Sequence, residues 1–143
     1  MSISFDTLEA EGWVKRDTPG FNAAVGPVWV RGVGAQHTMG LLVEERHTNL
    51  HIGTLHGGAL ASFADIGLGS GIHAVLGEVA YRCVTAALNI QYLSVARVGE
   101  FVTVRPEVVR HSKDLIFIRG LICVGDKNIA SADGIWKVMN SSK

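Results

Sequence analysis

The sequence has no excess of charge of either sign and few cysteines. Thirteen basic residues balance thirteen acidic ones among 143, and the sequence pI is about 7.0. This balance argues against a nucleic-acid-binding protein, which normally carries a clear basic excess. The two cysteines, Cys83 and Cys123, form no Cys-x-x-Cys pair. We therefore expect two reduced, largely buried thiols and no disulfide.

The sequence also lacks an uncharged apolar run that could cross a membrane. The most apolar stretch, residues 59–76, contains Asp65, His73 and glycines. The acidic N-terminus has no apolar targeting core, so we expect no signal peptide and a cytoplasmic location. Yet apolar residues make up 48% and the mean hydropathy is +0.27. We predict a homo-oligomer without a membrane partner, because a subunit interface would cover part of this apolar surface.

The order of the predicted elements indicates an α+β fold in one domain, residues 1–143. A short helix over residues 4–13, capped by Ser4 or Asp6, precedes a loop at 18–20 and strands at 27–33 and 37–45. A long helix follows at 57–76. Four strands, at 85–92, 101–109, 115–124 and 128–139, complete the chain. Short connections between strands predict an antiparallel sheet, with the long helix packed on one face.

Within the strand at 85–92, apolar and polar residues alternate. The alternation predicts that Leu88, Ile90 and Tyr92 face one side of the sheet while Thr85 and Asn89 face the other.

The long helix is rich in glycine, serine and alanine. The run Gly67-Leu-Gly-Ser-Gly71 has no Walker lysine and does not follow a strand, so it does not fit a phosphate-binding loop. A glycine costs roughly 1 kcal/mol relative to alanine inside a helix. Several glycines in one helix therefore indicate that a curved sheet packs very closely against it.

Six histidines raise the question of a metal site. The tightest group is His47, His51 and His56, but its first two members straddle a segment without a helical pattern, so their spacing does not aim them at one ion. No His-Glu-x-x-His motif is present. We predict neither a metal nor a cofactor.

Asp65 and the start of the long helix carry the chemical signal. The neighbours of Asp65 form no polar stripe, which indicates a paired or functional carboxylate. The amides of His56-Gly57-Gly58 lie where a helix N-terminus attracts negative charge. Eight residues separate Gly57 from Asp65, about 12 Å along the axis and about 80° around it. One chain therefore cannot easily bring both groups to one carbonyl, whereas two antiparallel helices across a two-fold axis can.

At these residues the chain resembles the hotdog-fold thioesterases of the PaaI-like class, relatives of 4-hydroxybenzoyl-CoA thioesterase. The matching pattern is Asn49, Gly53, His56-Gly57-Gly58 and Asp65. The similarity covers about residues 41–139, including Thr85-Ala-Ala-Leu-Asn-Ile-Gln-Tyr-Leu93 and Ala130-Ser-Ala-Asp-Gly-Ile-Trp136. It implies a hotdog fold, an antiparallel sheet wrapped around one long central helix. It also implies a dimer, or a dimer of dimers, that hydrolyses acyl-CoA to free acid and coenzyme A.

The resemblance implies roles for individual residues. The Gly57 amide polarises the thioester carbonyl, with Gly58 beside it in the substrate-binding site. His56 and Asn49 orient the substrate or the water. Asp65 acts as nucleophile or general base, and Thr85 holds the attacking water. The nucleotide end of coenzyme A needs cations, for which Arg110, Ser112 and Lys113 are the candidates; an ordinary solvated hairpin explains these three equally well.

Two departures from the family pattern affect this assignment. Asn49 precedes His56 by seven residues where six are expected, so residues 50–52 bulge in this interpretation and His51 can partly replace Asn49. Gly69 stands where some relatives have a hydroxyl residue. Two other functions stay open: a hotdog dehydratase or hydratase, which needs a histidine and an aspartate in one pocket, and a non-catalytic acyl-CoA-binding domain.

Overall fold

A computed structural model describes residues 2–140 as one antiparallel sheet curved around a long helix. The three α-helices are α1 (Phe5–Ala10), α2 (Phe21–Val25) and α3 (Gly57–Leu76). The strands are β1 (Val14–Arg16), β2 (Val28–Arg31), β3 (Thr38–Leu42), β4 (Cys83–Tyr92), β5 (Phe101–Val104), β6 (Glu107–His111), β7 (Leu115–Val124) and β8 (Lys127–Val138). Short 3-10 turns occupy Gly34–Gln36, Glu45–His47 and Gly77–Arg82. The predicted long helix is confirmed at both ends.

Helix α1 begins with a capping box. The Thr7 N–H donates to Ser4 Oγ at 3.2 Å, and the Ser4 N–H donates to Thr7 Oγ1 at 2.8 Å. This confirms Ser4 as the cap. The predicted extension of the helix to Trp13 is wrong, because Gly12 takes a φ of +91° and turns the chain. Trp13 is consequently buried against Leu8.

The sheet has the strand order β1-β2-β3-β5-β7-β8-β4, and every neighbouring pair is antiparallel. Strand β6 pairs with β7 on the same side as β5, further along β7. The prediction of one continuous strand at 101–109 is therefore wrong. Pro106 interrupts it, because proline has no N–H to donate to a ladder.

Two short elements near the N-terminus were not predicted. Strand β1 has three residues, all exposed, and pairs only with β2. Helix α2 is little more than one turn. Neither is long enough to show a hydrophobic period, so the sequence pattern carried no signal for them.

The core lies between α3 and the concave face of the sheet. Phe63, Leu68 and Ile72 of the helix are buried against sheet residues such as Ile118 and Trp136. Fully burying a side chain of this size stabilises the fold by about 1.5–3 kcal/mol. By length and composition the 26 residues Gly57–Arg82 are also apolar enough to cross a membrane. Of the most apolar 18-residue window in this segment 39% is buried, so packing inside the curved sheet accounts for part of that apolar character.

The glycines of α3 permit this close packing, as predicted. A Cβ built at Gly67 would lie 2.6 Å from Val104 Cγ1. A Cβ at Gly71 would collide with the ring of Pro106 and lie 3.1 Å from Ile118 Cδ1. The helix backbone therefore rests directly on the sheet, which fixes the position of Asp65 on the same helix.

Candidate active site

At the start of α3, the Gly57 amide is free and the Gly58 amide is already bound. His56 is the N-cap, with φ −62° and ψ 136°, and its Nδ1 accepts a hydrogen bond from the Gly58 N–H at 2.8 Å. Across residues 2–140, the Gly57 N–H has no acceptor within hydrogen-bond distance. Because the helix dipole places partial positive charge here, the Gly57 N–H can donate to an oxyanion.

Tyr92, which the sequence reasoning missed, holds the same turn. Its hydroxyl donates to the Gly57 carbonyl oxygen at 2.7 Å and ties α3 to the end of β4. The available signal was its place on the helix-facing side of β4, with Leu88 and Ile90. An aromatic side chain with a polar tip fits such a position, where its body packs and its hydroxyl finds a partner.

A β-bulge in β4 aims Thr85 at the helix. Thr85 pairs with Trp136 and Ala87 pairs with Ile135, so β4 advances two residues while β8 advances one. The predicted face assignment is therefore wrong for Thr85: the extra residue brings it to the same side as Leu88. There its hydroxyl donates to Asp65 Oδ1 at 2.6 Å. Strict alternation could not reveal this contact.

Asp65 is half-buried and lines a cavity of about 950 Å³ beside α3. Thr85, Gly69 and Trp136 line the same cavity. Neither Gly57 nor His56 contributes to its wall. Since α3 is continuous between Gly57 and Asp65, the two remain about 12 Å apart along its axis. Within one subunit the structure does not bring the free amide and the carboxylate together.

Asn49 forms the turn that precedes α3. Its Nδ2 donates to Thr54 Oγ1 at 3.1 Å, and its Oδ1 accepts from the Ile52 N–H at 2.9 Å. Gly53 completes the turn with a φ of +75°. Residues 50–52, where a bulge is predicted, lie within this turn, with His51 exposed at its tip. In this conformation the Asn49 side chain bonds its own loop.

His47 has a structural role. It is buried, its Nδ1 accepts from the Glu44 N–H at 3.0 Å, and its Nε2 lies 2.7 Å from the Val25 carbonyl oxygen. Burial lowers the pKa of His47, an effect that the hydrogen bond to Val25 partly opposes. Among residues 2–140 no group of three or more histidine, cysteine or acidic side chains could hold a metal ion. Both ring nitrogens of His47 therefore already have hydrogen-bond partners within the fold.

Arg110, Ser112 and Lys113 lie at the hairpin between β6 and β7, exposed to solvent. Ser112 Oγ accepts from the Leu115 N–H at 3.2 Å, which closes the turn. None of the three lines the cavity that contains Asp65. Their proposed contact with a nucleotide therefore stays a prediction.

The two cysteines are unpaired and half-buried. Burial raises the pKa of the Cys83 thiol, although the nearby Arg82 charge opposes the shift. Burial also raises the pKa of the Cys123 thiol, and the Asp126 carboxylate adds to it. A thiol with a raised pKa is a poor nucleophile at neutral pH. Asp65 is accordingly the better candidate for the reacting group.

Comparison with known families decides the class of this site. The family model described as thioesterase superfamily matches residues 52–130, more than half of the chain. The chain belongs to the thioesterase superfamily. The matched segment contains Gly57, Asp65 and Thr85. The protein is thus a thioester hydrolase, which confirms the class of enzyme expected from the motif.

Individual proteins and one solved structure are also similar to this chain. A Pseudomonas aeruginosa protein whose name describes it as a candidate esterase is 34% identical over 113 residues, 78% of this chain and 83% of that protein. Mouse acyl-coenzyme A thioesterase 13 is 31% identical over 107 residues, 69% of each chain. The structure of a mutant of the phenylacetic acid degradation protein PaaI from Thermus thermophilus superposes with a TM-score of 0.71 at 23% identity. The match covers 83% of this chain and 98% of that one. The PaaI-like hotdog fold is confirmed.

Proposed function

We propose that this protein hydrolyses acyl-CoA thioesters to a free acid and coenzyme A. Two findings support the substrate class: the thioesterase superfamily match and the similarity to an acyl-coenzyme A thioesterase. The observation that carries the proposal is the hydrogen bond from Thr85 to Asp65 inside a cavity large enough for an acyl group. It gives one carboxylate a fixed orientation beside open space.

The proposed chemistry depends on which hydrogen-bond donors of the site already have an acceptor. The Thr85 hydroxyl donates its hydrogen to Asp65 Oδ1, so its oxygen can still accept from a water molecule. The other carboxylate oxygen of Asp65 can accept from the same water. That water attacks the thioester carbon while Asp65 takes its proton. The Gly57 amide stabilises the oxyanion, and the intermediate expels the thiolate, which receives the proton from Asp65.

The site requires two subunits. A reacting carbonyl must lie within about 3–3.5 Å of the attacking atom, and one continuous helix cannot bring Gly57 and Asp65 that close. Strand β4 is an edge strand, paired only with β8, and most of its residues are exposed. We infer that β4 pairs with the β4 of a second subunit, which sets the two α3 helices antiparallel. Gly57 of each chain then faces Asp65 of the other.

The direct test is a thiol-release assay with a panel of acyl-CoA thioesters. Asp65→Asn and Asp65→Ala should each lower kcat by at least about 10²-fold, because a positioned acid or base contributes on that order. Asp133→Asn is the matched control, since Asp133 is exposed on β8 and does not line the cavity that contains Asp65. Circular dichroism should show all three variants folded. Full activity in Asp65→Asn would remove this carboxylate from the mechanism.

A further inference from the structure

The cavity beside Asp65 continues along α3 as a groove. Asp65, Gly69 and His73 are spaced four residues apart, so they lie on one stripe of the helix, and all three line the groove. From Asp65 to His73 the stripe is about 12 Å long. If the thioester carbon lies at Asp65, as in the proposed function, the acyl group can extend along this stripe toward His73.

The middle of this groove is apolar and open. Met39 and Trp136 line it, and Gly69 contributes no side chain. A Cβ at Gly69 would lie 3.8 Å from Trp136 Nε1, an ordinary contact. A hydrocarbon segment of the acyl group would therefore be in contact with apolar side chains in this part of the groove.

The end of the groove beyond Gly69 is polar, and we call it the distal end. It contains Arg16, His37, His73 and Tyr81. His73 Nε2 and the Tyr81 hydroxyl are 3.1 Å apart. Ser70 Oγ donates to the Gly67 carbonyl at 2.6 Å, so at 2.8 Å it accepts from His37 Nε2. This assigns the proton of His37 to Nε2.

The distal end carries positive charge without a counterion. Among the lining residues Asp65 supplies the single carboxylate, and it lies at the opposite end. In the part of the chain that the structure describes, Arg16 forms no ion pair, while neighbouring Asp17 bonds Lys15 at 3.6 Å. Burial lowers the pKa of His37, and the charges of His73 and Arg16 lower it further. The positive charge at the distal end is thus that of Arg16, an exposed residue of β1, and no lining carboxylate lies beside it to balance it.

We propose that the distal end binds a carboxylate at the far end of the acyl group. This inference rests on the proposed function and specifies its substrate class: CoA thioesters of dicarboxylic acids, with a hydrocarbon spacer between the thioester and the free acid. Arg16 supplies the opposite charge, and Tyr81 and His73 supply hydrogen-bonding groups. A charge-assisted hydrogen bond from a guanidinium is the strong kind of contact that distinguishes a carboxylate from a methyl group.

The test compares two acyl-CoAs of equal chain length, one ending in a methyl group and one in a carboxylate. Wild-type protein should show a kcat/KM about tenfold higher for the carboxylate-ended thioester, the factor given by one such contact. Arg16→Gln should abolish that preference by raising KM for the carboxylate-ended thioester. It should leave kcat/KM for the methyl-ended thioester unchanged. The preference should also weaken as ionic strength rises.

Lys15→Gln is the matched control. Lys15 is the preceding residue of β1, it contacts Asp17 and the Phe5 ring, and it does not line the groove. The substitution removes one positive charge from the same strand. It should leave kcat/KM unchanged for both the methyl-ended and the carboxylate-ended thioester. Equal kcat/KM for the two thioesters in wild type would overturn the inference while hydrolysis itself stands. An equal loss of kcat/KM for both thioesters in Arg16→Gln would also overturn the inference.

Failure of the proposed function is distinguishable from failure of this inference. If folded protein releases thiol from neither thioester, the proposed hydrolysis fails, and calorimetric affinities then decide the distal site. Tighter binding of the carboxylate-ended thioester that Arg16→Gln removes would support the site. Equal affinities in wild type would overturn it.

Discussion

Gly57 is the residue at which backbone chemistry matters more than the side chain. It occupies the first position of α3, where a helix has no internal acceptor for the N–H. A proline fits the first helical position well, because the N–H that it lacks is unpaired there anyway. The preceding residue, His56, already has the extended ψ of 136° that a following proline requires. Gly57→Pro therefore removes the proposed oxyanion donor with little disturbance.

We predict that Gly57→Pro lowers kcat about 10²–10³-fold, the usual effect of losing one oxyanion-hole donor. Gly57→Ala keeps the amide, and its Cβ would lie 3.7 Å from the Tyr92 ring, an ordinary contact. It should retain most of the activity. Steady-state thiol release measures both variants, and thermal unfolding shows whether each is folded. Equal activity of the proline and alanine variants would exclude the Gly57 amide as the donor.

At the scale of elements, α3 and the sheet are fitted to each other through glycines. Gly71 and Gly69 are two residues apart in one helix, but of the two only Gly71 lies too close to its neighbours, Pro106 and Ile118, for an added Cβ. A Cβ at Gly69 would lie at an ordinary 3.8 Å from Trp136 Nε1. Replacing either with alanine improves helix propensity by about 1 kcal/mol. At Gly71 the added methyl meets the rigid Pro106 ring, and overpacking costs about 1–3 kcal/mol or more.

We therefore predict that Gly71→Ala lowers the free energy of unfolding, whereas Gly69→Ala leaves it unchanged or raises it. Urea denaturation measures the difference in the free energy of unfolding between the two variants. Each variant is the control for the other, because both substitutions lie in the same helix. Gly71→Ala as stable as Gly69→Ala would show that the sheet is not in such close contact with the helix.

The elements also show what a sequence can and cannot predict. The bounds of α3 followed from local signals, namely the His56-Gly57-Gly58 start and the run of small residues after it. The contact of Thr85 with Asp65 did not, because it depends on a bulge set by pairing with β8. Proline chemistry predicts a break at Pro106. The alternation of apolar and polar residues on both sides of it instead favours one continuous strand. The distal end of the groove needed the fold, since Arg16, His37 and His73 come from three separate parts of the chain.

At the scale of the whole molecule, one subunit exposes apolar side chains beside its site. Val84, Tyr92 and Leu93, on β4 and directly after it, are 50%, 52% and 55% exposed. An open edge strand with apolar side chains is normally paired or covered. The high mean hydropathy points in the same direction, and a shared active site would account for both. The homo-oligomer and its cytoplasmic location stay predictions until measured.

The most direct measurement is activity in a mixed dimer of Gly57→Pro and Asp65→Asn chains, co-expressed with different tags and purified through both. If each site combines Gly57 of one chain with Asp65 of the other, a mixed dimer contains one site free of both substitutions and one site with both. Each parent homodimer should then be nearly inactive, and the mixed dimer should show about half the wild-type rate. A mixed dimer as inactive as its parents would contradict a site shared between subunits.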